Sequence, residues 1–344
     1  MSQETQTSQE TAGRLSTEEA VGILTRHAEH TSAFLAMNDE TLHFQAPDVD
    51  GLIAYRPAGR RYLVQIGSVY AAPDKQAALL DAFGQWAAGQ RRRILAVQLV
   101  RSDAPLYAER RYQVNQLGSS YSIALTGYSL RGRKMVKVRN MVNRAHREGV
   151  KVTEVPVELR SGASSALRQI DDAWLRAKGK NVKELAFMIG ETGGRGAPYR
   201  RLFLAEYENR PVAYISYAPV YGAQAGWLYD LTRRTPDAPP GAIEAVFAHA
   251  IEVFQDERAA WLHLGLTPWA GLDPALEVPE VANKLLVKAG AFLTRHGQKF
   301  YPSASQASFK LKWLPHVARP EYMAFEGRVR AGGLYAFGRL TRTL

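Results

Sequence analysis

One segment of the chain, residues 131–151, combines an apolar stripe with a row of cations and so restricts how the chain can fold. It contains eight Lys or Arg residues and one acid, Glu148, and therefore supplies +7 of the formal net charge of +11. At helical spacing, the first face carries the apolar residues Met135, Val138, Val142 and Ala145. The opposite, second face carries the cations Arg133, Lys137, Arg144 and Arg147. We expect an amphipathic helix that packs on a core with the first face and offers the second to a polyanion.

Composition narrows the class of protein. A chain of 344 residues is too long for one ordinary core and predicts two domains. The apolar runs are far shorter than the roughly 20 residues that span a bilayer, and residues 1–14 lack the layout of a signal peptide. The absence of cysteine excludes disulfides, thiolate catalysis and Cys-based zinc sites. We therefore expect a soluble cytoplasmic protein whose residues 1–15 form a disordered leader.

The basic character of the chain indicates its partners. A pI near 9.7 implies attraction to nucleic acid, an anionic membrane surface or acidic small molecules. The alternative is a solvated basic surface without any partner. Because most of the excess charge lies on one predicted helix, a specific partner is favoured.

The first half of the chain alternates helical and extended patterns. A helix begins after Ser16, whose side chain forms a capping box with Glu19. Short strands, a helix, a further strand and a helix-like segment follow at residues 42–45, 52–55, 62–66, 74–88, 94–100 and 108–112.

A similar order of elements follows the basic segment. It comprises a strand, a helix, a meander of three strands, a helix, a strand and a helix, at residues 152–157, 165–176, 202–207, 212–218, 226–231, 241–254, 261–264 and 279–286. We predict an α/β fold of two tandem lobes with mixed sheets. The lobes span residues 16–127 and 150–344, with a basic linking helix at 128–149, and we expect the glycine-containing segment 190–197 to be a mobile loop beside a cleft.

Several catalytic motifs are missing from the sequence. It has no phosphate-binding GxxxxGK[ST] loop, no HExxH, no GxSxG and no GxGxxG after a strand. It also lacks the loop with which acyl-CoA acetyltransferases hold pyrophosphate, which disfavours a coenzyme A donor. The histidines have no metal-ligand spacing with carboxylates, so we predict neither a metal nor another cofactor.

Three short groups carry candidate chemistry. Asp230 and Arg233 lie three residues apart at a predicted strand end, where the acid can bind an amine and the base a phosphate or an oxyanion. Lys310 and Lys312 flank a leucine between aromatic residues and can hold a phosphate or a developing negative charge. A salt bridge in a turn explains the first pair more readily, and a basic surface patch explains the second equally well. His263, followed by a Gly/Pro turn, is interpreted as a buried strand residue.

These groups, taken together and in order, resemble a known family, the catalytic region of the aminoacyl-phosphatidylglycerol synthases (lysyl- and alanyl-phosphatidylglycerol synthases). The resemblance covers residues 32–325. The segments that carry it are SAFLAMNDE (32–40), GLIAYR (51–56), SLRGRKMVKVRNMVNRAHREG (129–149), YDLTRR (229–234), LGLTP (264–268) and HGQKFYPSASQASFKLKWLPHVARPEY (296–322).

The resemblance implies two acetyltransferase-like (GNAT-type) lobes, joined by a helix that contacts tRNA through Arg133, Lys137, Arg144 and Arg147, with Lys312 as a further contact. It implies that Asp230, Arg233 and Lys310 are catalytic. Asp230 would bind an amino group or the acceptor hydroxyl, and the two cations a phosphate or the tetrahedral oxyanion. Aminoacyl-tRNA is an activated ester, so the resemblance implies no cofactor besides this co-substrate. A further acid of the family falls on Glu277, Glu280 or Glu321, without a choice among them.

Two departures bear on the acceptor. Where the family carries Gly-Glu-Glu and often Gly-Asp-Pro, this chain has Gly118-Ser119-Ser120 and Gly67-Ser68-Val69, and the family's membrane-spanning half is missing. Soluble relatives transfer an aminoacyl group such as seryl to small acceptors. We therefore expect transfer from aminoacyl-tRNA to a small hydroxylated acceptor, such as a hydroxylamine in a pathway of antibiotic biosynthesis. The alternatives are a phosphatidylglycerol synthase in peripheral contact with the membrane, and a non-catalytic tRNA-binding protein.

Overall fold

The computed structural model describes residues 12–178, 187–296 and 303–343. Its first half begins with helix α1, whose predicted capping box is present because Ser16 Oγ accepts from Glu19 N at 3.2 Å and Ser16 N donates to Glu19 Oε2 at 3.1 Å. The elements of this half are β1 (Ala12–Gly13), α1 (Thr17–His27), β2 (Leu42–Phe44), β3 (Gly51–Ala58), β4 (Tyr62–Ile66), β5 (Tyr70–Ala71), α2 (Pro73–Gly89), β6 (Arg93–Leu99), α3 (Ala104–Ala108) and β7 (Tyr112–Ala124).

The second half begins with the basic helix and ends with a strand and a helix. Its elements are α4 (Val136–Arg147), β8 (Lys151–Glu154), α5 (Arg160–Lys178), β9 (Arg201–Tyr207), β10 (Arg210–Val220), β11 (Gly226–Arg234), α6 (Ala242–Asp256), β12 (Trp261–Pro268), α7 (Lys284–His296), α8 (Ser303–Leu311), β13 (Val317–Glu326) and α9 (Ala331–Leu340).

The two halves share one plan. In each, an antiparallel meander leads into a helix and then into a parallel strand: β4, α2 and β6 in the first half, and β11, α6 and β12 in the second. The strand–helix–strand connection buries one face of the sheet under the helix. The predicted fold, a mixed α/β protein of two acetyltransferase-like halves, is confirmed.

The halves exchange their last strands. β13 lies between β6 and β7, and β7 lies between β13 and β12, in one continuous sheet of order β1-β2-β3-β4-β6-β13-β7-β12-β11-β10-β9-β8. Antiparallel pairing of β13 with both neighbours links the C-terminal segment to the N-terminal strands. Residues 16–127 and 150–344 remain a predicted division, and the hydrogen bonds of the sheet run across it.

The basic helix packs as its pattern predicts. A single 3₁₀ turn, Arg133–Met135, precedes α4, and Met135, Val138 and Ala145 are buried against the core of the second half, with Val142 partly buried beside them. The four cations of the opposite face are exposed. Within the described residues, no helix is both long and apolar enough to cross a membrane.

Some elements differ from the prediction. Residues 108–112 are the end of α3 and the start of β7 rather than a helix, and the helix predicted at 279–286 begins at Lys284. Strands β7 and β13 lie at the centre of the sheet but were not predicted. Several of their polar residues, among them Gln116 and Glu321, are buried, so an alternation of buried apolar and exposed polar residues is lacking.

Candidate active site

The parallel strands β11 and β12 separate near the middle of the molecule. Their pairing covers three positions and ends at Leu228 and His263. Just beyond, each strand carries a bulge, because the register shifts across Asp230 in β11 and across Leu264 in β12. A bulge bends its strand and redirects a side chain. The bulges therefore accompany the separation of the strands, and the candidate groups flank that point.

Lys310, near the end of α8, reaches β12 just beyond this point. Its Nζ donates to the carbonyl oxygens of Gly265 at 2.9 Å and Leu266 at 2.8 Å. The residue is 7% exposed, and burial lowers its pKa to about 7, although Glu321 opposes the shift. At neutral pH an appreciable fraction of this side chain is an uncharged amine.

Glu321 on β13 is the acid near Lys310. It is 1% exposed, and neither of its carboxylate oxygens has a hydrogen-bond partner among the described residues. Its Oε2 lies 3.4 Å from Nε2 of His30, which is also buried. Because Ser32 N donates to Nδ1 of His30 at 3.0 Å, a proton on this ring lies on Nε2, facing Glu321. Burial opposes protonation of His30, but the nearby Glu321 carboxylate raises its pKa.

Asp103 adds a second carboxylate to this region. Its Oδ2 accepts from Ser68 Oγ at 2.5 Å and from Val100 N at 2.9 Å, and burial raises its pKa. Ser68 stands in the segment where the sequence departs from the family, and its hydroxyl satisfies this buried acid.

Asp230 lies on the other side of the separation, in the bulge of β11. Its Oδ1 accepts from Gly190 N at 2.7 Å, and Oδ2 lies 4.0 Å from Nε of Arg200. Both side chains are buried, and burial raises the pKa of Asp230 although Arg200 opposes this. A Cβ at residue 190 would lie 1.7 Å from Oδ2 of Asp230, so only glycine fits there.

Arg200 is also bonded to the first half of the chain. Its Nη2 donates to Asn38 Oδ1 at 2.7 Å, and its guanidinium lies 5.1 Å from the ring centroid of Phe34. Nε and Nη1 of Arg200 have no hydrogen-bond acceptor in the described parts of the chain. Oδ2 of Asp230 likewise has no hydrogen-bond donor there. Buried polar atoms are rarely left unsatisfied, so these atoms are candidates for contact with a ligand.

The segment 190–197 was predicted to be a mobile loop and is instead held by the first half. Glu191 Oε1 accepts from Asp39 N at 3.0 Å, and Arg195 N donates to Asp39 Oδ1 at 3.0 Å. The guanidinium of Arg195 donates to carbonyl oxygens of Ala36 and Thr41, each at 3.1 Å. These bonds fix the segment across the two halves beside Asp230.

The structure gives Arg233 different surroundings from Asp230. Its guanidinium lies 4.1 Å from the ring centroid of Trp174 on α5, and its Nε lies 3.7 Å from Asp171 Oδ1. Arg233 lies opposite Tyr214 of β10, where its neighbours are Trp174 and Asp171 of α5 rather than Arg200. The predicted pair thus becomes Asp230 with Arg200, and the catalytic role of Arg233 stays a prediction.

Lys312 differs from Lys310 although both belong to the FKLKW segment. Its Nζ pairs with Glu244 Oε1 at 2.6 Å and lies 3.9 Å from the ring centroid of Phe309. Arg133, Lys137, Arg144 and Arg147 are exposed on α4, and Arg144 pairs with Glu148 at 2.7 Å. A surface depression of about 460 Å³ on α4 is lined by Asn140, Asn143, His146 and Arg147.

His263 is a buried strand residue, as predicted. It is hydrogen-bonded to Ser122 Oγ at 2.8 Å and to Gln224 O at 2.9 Å, and burial lowers its pKa to about 4. In residues 12–178, 187–296 and 303–343, no group of three His, Asp or Glu residues is arranged to hold a metal ion.

The sequence did not identify His30 or Arg200, and it left Glu321 as one of three candidates. Glu277 accepts from Gln116 N at 3.3 Å and Glu280 is exposed, which leaves Glu321 as the acid that interacts with Lys310. A polar residue after α1 and an arginine before β9 carry no local pattern, so only the fold could reveal them.

Two halves of one plan, with a buried lysine and acid near the point where parallel strands separate, place the protein in the tandem acetyltransferase-like fold class. The chain belongs to the family described as "Phosphatidylglycerol lysyltransferase, C-terminal", which matches residues 21–325.

Similar proteins agree with this assignment. The phosphatidylglycerol lysyltransferase of Bacillus subtilis (strain 168) is 25% identical over 293 residues, which are 84% of this chain and 32% of that protein. The chain thus spans about a third of this relative's length. The C-terminal domain of a putative lysylphosphatidylglycerol synthetase from Agrobacterium fabrum has the same fold, with a TM-score of 0.75, 21% identity and 95% coverage of both chains. The structure of L-PGS from Bacillus licheniformis has a TM-score of 0.74 and 22% identity, and the match covers 94% of this chain and 96% of that chain.

Proposed function

We propose that the chain transfers an aminoacyl group from aminoacyl-tRNA to a hydroxyl acceptor, with no other cofactor. The observation that carries the proposal is Lys310 with its two carbonyl partners. A neutral lysine has two N–H groups, and the carbonyls of Gly265 and Leu266 accept two hydrogen bonds. The lone pair of the neutral amine is then free to take the proton of an acceptor hydroxyl. This makes Lys310 a general base, rather than the phosphate or oxyanion ligand that the sequence suggested.

The Asp230–Arg200 pair would hold the aminoacyl group. Oδ2 of Asp230 can accept a hydrogen bond from the α-ammonium group of the amino acid. Nε and Nη1 of Arg200 can donate to the ester carbonyl, where negative charge develops in the tetrahedral intermediate. Oδ2 of Asp230 and Nε and Nη1 of Arg200 have no hydrogen-bond partner among the described residues. Membership of the family also supports this assignment.

The tRNA would lie on α4. Its exposed cations form a row on one helix face, which suits the regularly spaced phosphates of a nucleic acid backbone. Packing of α4 against α6 fixes this row in the second half, which also holds Lys310 and Asp230. Because aminoacyl-tRNA is a cytoplasmic substrate, we also propose that the protein acts in the cytoplasm.

For the acceptor we propose a small hydroxylated molecule. Gly118-Ser119-Ser120 and Gly67-Ser68-Val69 stand where the family carries acidic segments, so the chain departs from the lipid-modifying members at two places. Phosphatidylglycerol is the second candidate, because the matching family and the Bacillus subtilis relative carry its name.

A transfer assay with labelled aminoacyl-tRNAs, with and without phosphatidylglycerol vesicles, tests both candidates and identifies the amino acid. Deacylation of one tRNA without labelled lipid supports the small acceptor, which is then sought among hydroxyl and hydroxylamine compounds. Labelled lipid overturns it in favour of phosphatidylglycerol. Asp230→Asn should reduce either reaction at least about tenfold, and full activity of this folded variant would contradict the assigned site. If no acceptor supports turnover while tRNA still binds, the protein is a non-catalytic binder.

A further inference from the structure

Four arginines line one surface cavity on the first half of the molecule, away from the groups described so far, and Arg61, Arg91 and Arg330 are exposed. The cavity has a volume of about 270 Å³. Arg61 precedes β4, Arg93 opens β6, Arg91 follows α2, and Arg330 precedes α9. Tyr62 and Gly332 complete the lining, which contains no carboxylate.

The convergence of these side chains is fixed by the backbone. β4 and β6 are parallel neighbours, and Arg93 N donates to Arg61 O at 2.9 Å, which brings the two strand starts together. Helix α9 packs on β3 and β4, and a Cβ added at Gly332 or Gly333 would lie 3.4 Å or 3.2 Å from Tyr62. The small residues at its start let the helix terminus approach the cavity closely.

These arginines lack the counter-ions that other arginines of the protein have. Arg110 pairs with Asp81 at 2.7 Å, and Arg201 pairs with Glu154 at 2.5 Å. Of the arginines around the cavity, none forms an ion pair with any carboxylate in the described ranges. Like charges brought together in this way repel, and a bound anion would relieve the repulsion.

The N-terminus of α9 adds to the positive potential. Its first turn has no acidic residue, and the side chain of Arg330 makes no capping hydrogen bond. The N–H groups of a first helical turn favour an anion. The C-terminus of a helix carries partial negative charge and favours cations, which accounts for Arg91 and Arg93 beside the end of α2. That effect explains neither Arg61 nor Arg330, which come from other elements.

The shape of the cavity selects the anion. The cations of α4 form a row, which suits a long polyanion, whereas these four arginines surround a single small volume. Arginine binds phosphate oxygens in pairs through its planar fork. Four positive charges around one volume match a group with more than one negative charge better than the single charge of a phosphodiester.

We propose that this arginine cavity binds a compact phosphate group carrying more than one negative charge, a phosphate monoester or a diphosphate. The site is separate from the proposed transfer site and does not depend on the transfer activity.

Calorimetric titration of the full chain with pyrophosphate and with inorganic phosphate, at low ionic strength, tests the proposal. The double variant Arg61→Gln/Arg330→Gln should bind pyrophosphate at least about tenfold more weakly than the native chain. Arg133→Gln/Lys137→Gln on α4 removes the same charge and should leave this affinity unchanged. Absence of binding to the native chain, or equal weakening in both double variants, overturns the proposal.

Two further arms distinguish the source of the phosphate. Co-sedimentation with phosphatidylglycerol vesicles and filter binding of tRNA are measured for the same three proteins. We expect the cavity variant to retain both interactions. If it loses vesicle or tRNA binding while the native chain shows no affinity for pyrophosphate, the cavity is a lipid or RNA contact and the proposal is wrong. A midpoint of urea unfolding equal to the native value confirms that the variant is folded.

Discussion

At the scale of single residues, the chemistry depends on groups that the fold removes from water. His30 is distant in the sequence from Lys310 and Glu321, and the fold leaves all three residues less than a tenth exposed. A charged side chain in such surroundings either changes its pKa or needs a partner. The sequence predicted Lys310 and Asp230 because they belong to short motifs. It could not predict that Asp230 faces Arg200 rather than Arg233, because the contact with Arg200 joins β11 to a residue that precedes β9 and is distant in the sequence.

The rate of aminoacyl transfer should rise with pH through a pKa of about 7, the value to which burial lowers that of Lys310. Below this pH the ammonium form has no lone pair and cannot accept a proton. Lys310→Met should reduce kcat by about 10²–10⁴-fold and remove the rising limb of the pH profile. Single-turnover transfer at several pH values, corrected for spontaneous ester hydrolysis, measures both effects. An unchanged pH profile in this variant would exclude Lys310 as the base.

Stability provides a second test of the same group. Unfolding raises the pKa of Lys310 from about 7 towards 10.5, so the unfolded chain binds more protons than the folded chain between these values. The contribution of Lys310 to the free energy of unfolding therefore increases as pH rises from about 7 to 10.5. Urea unfolding at pH values across this window should show a steeper increase for the native chain than for Lys310→Met. Parallel curves would contradict the lowered pKa.

Glu321 should tune this base rather than take the proton itself. Its carboxylate stabilises the charged form of Lys310, so Glu321→Gln should lower the pKa of Lys310 further and move the rising limb of the rate profile to lower pH. Glu280→Gln, which changes an exposed acid, should leave the profile in place. A purely structural role of Glu321 would reduce the rate equally at all pH values.

At the scale of elements, the sequence predicts a helix or strand well where its pattern is local. α4 carries its apolar stripe and its cations within a few turns, so both faces could be predicted. β7 and β13 could not, because their partners are distant. Gln116 on β7 donates to Asp273 O at 2.6 Å, and Glu321 on β13 lies 3.4 Å from Nε2 of His30. Buried polar residues with distant partners resemble exposed loop residues when only neighbours are considered.

The cations of α4 should dominate tRNA affinity. Replacing Arg133, Lys137, Arg144 and Arg147 with glutamine should weaken binding, and should lower the slope of log K against log salt by about 0.9 for each phosphate that the helix no longer neutralises. Lys312→Gln is the control, since its pairing with Glu244 leaves it less available to phosphate. Binding isotherms at several salt concentrations measure the slopes. An equal reduction in the control and in any single α4 variant would contradict the assignment of tRNA to this face.

At the scale of the whole molecule, the exchanged strands make the two halves interdependent. β13 comes at the end of the second half of the sequence but pairs with β6 of the first half. β7 comes at the end of the first half but pairs with β12 of the second half. Lys310 and Glu321 are therefore brought together by the same exchange that joins the halves. A lobe of residues 16–127 expressed alone would lack β13, which leaves the edge of β6 unpaired. The site and the joint sheet are parts of one arrangement.

This interdependence predicts a single cooperative unfolding unit. Phe325 on β13 is 3% exposed and lies opposite Leu95 of β6 and Gln113 of β7. Phe325→Ala should destabilise the protein by about 3–5 kcal/mol. Because the sheet is continuous, amide exchange should accelerate to the same extent in β4 and in β10, although neither strand pairs with β13. Phe203→Ala on β9 provides the reciprocal test from the other end of the sheet. Faster exchange confined to the half that carries the substitution would show that the halves unfold independently, and the exchanged strands would then join two separately stable domains.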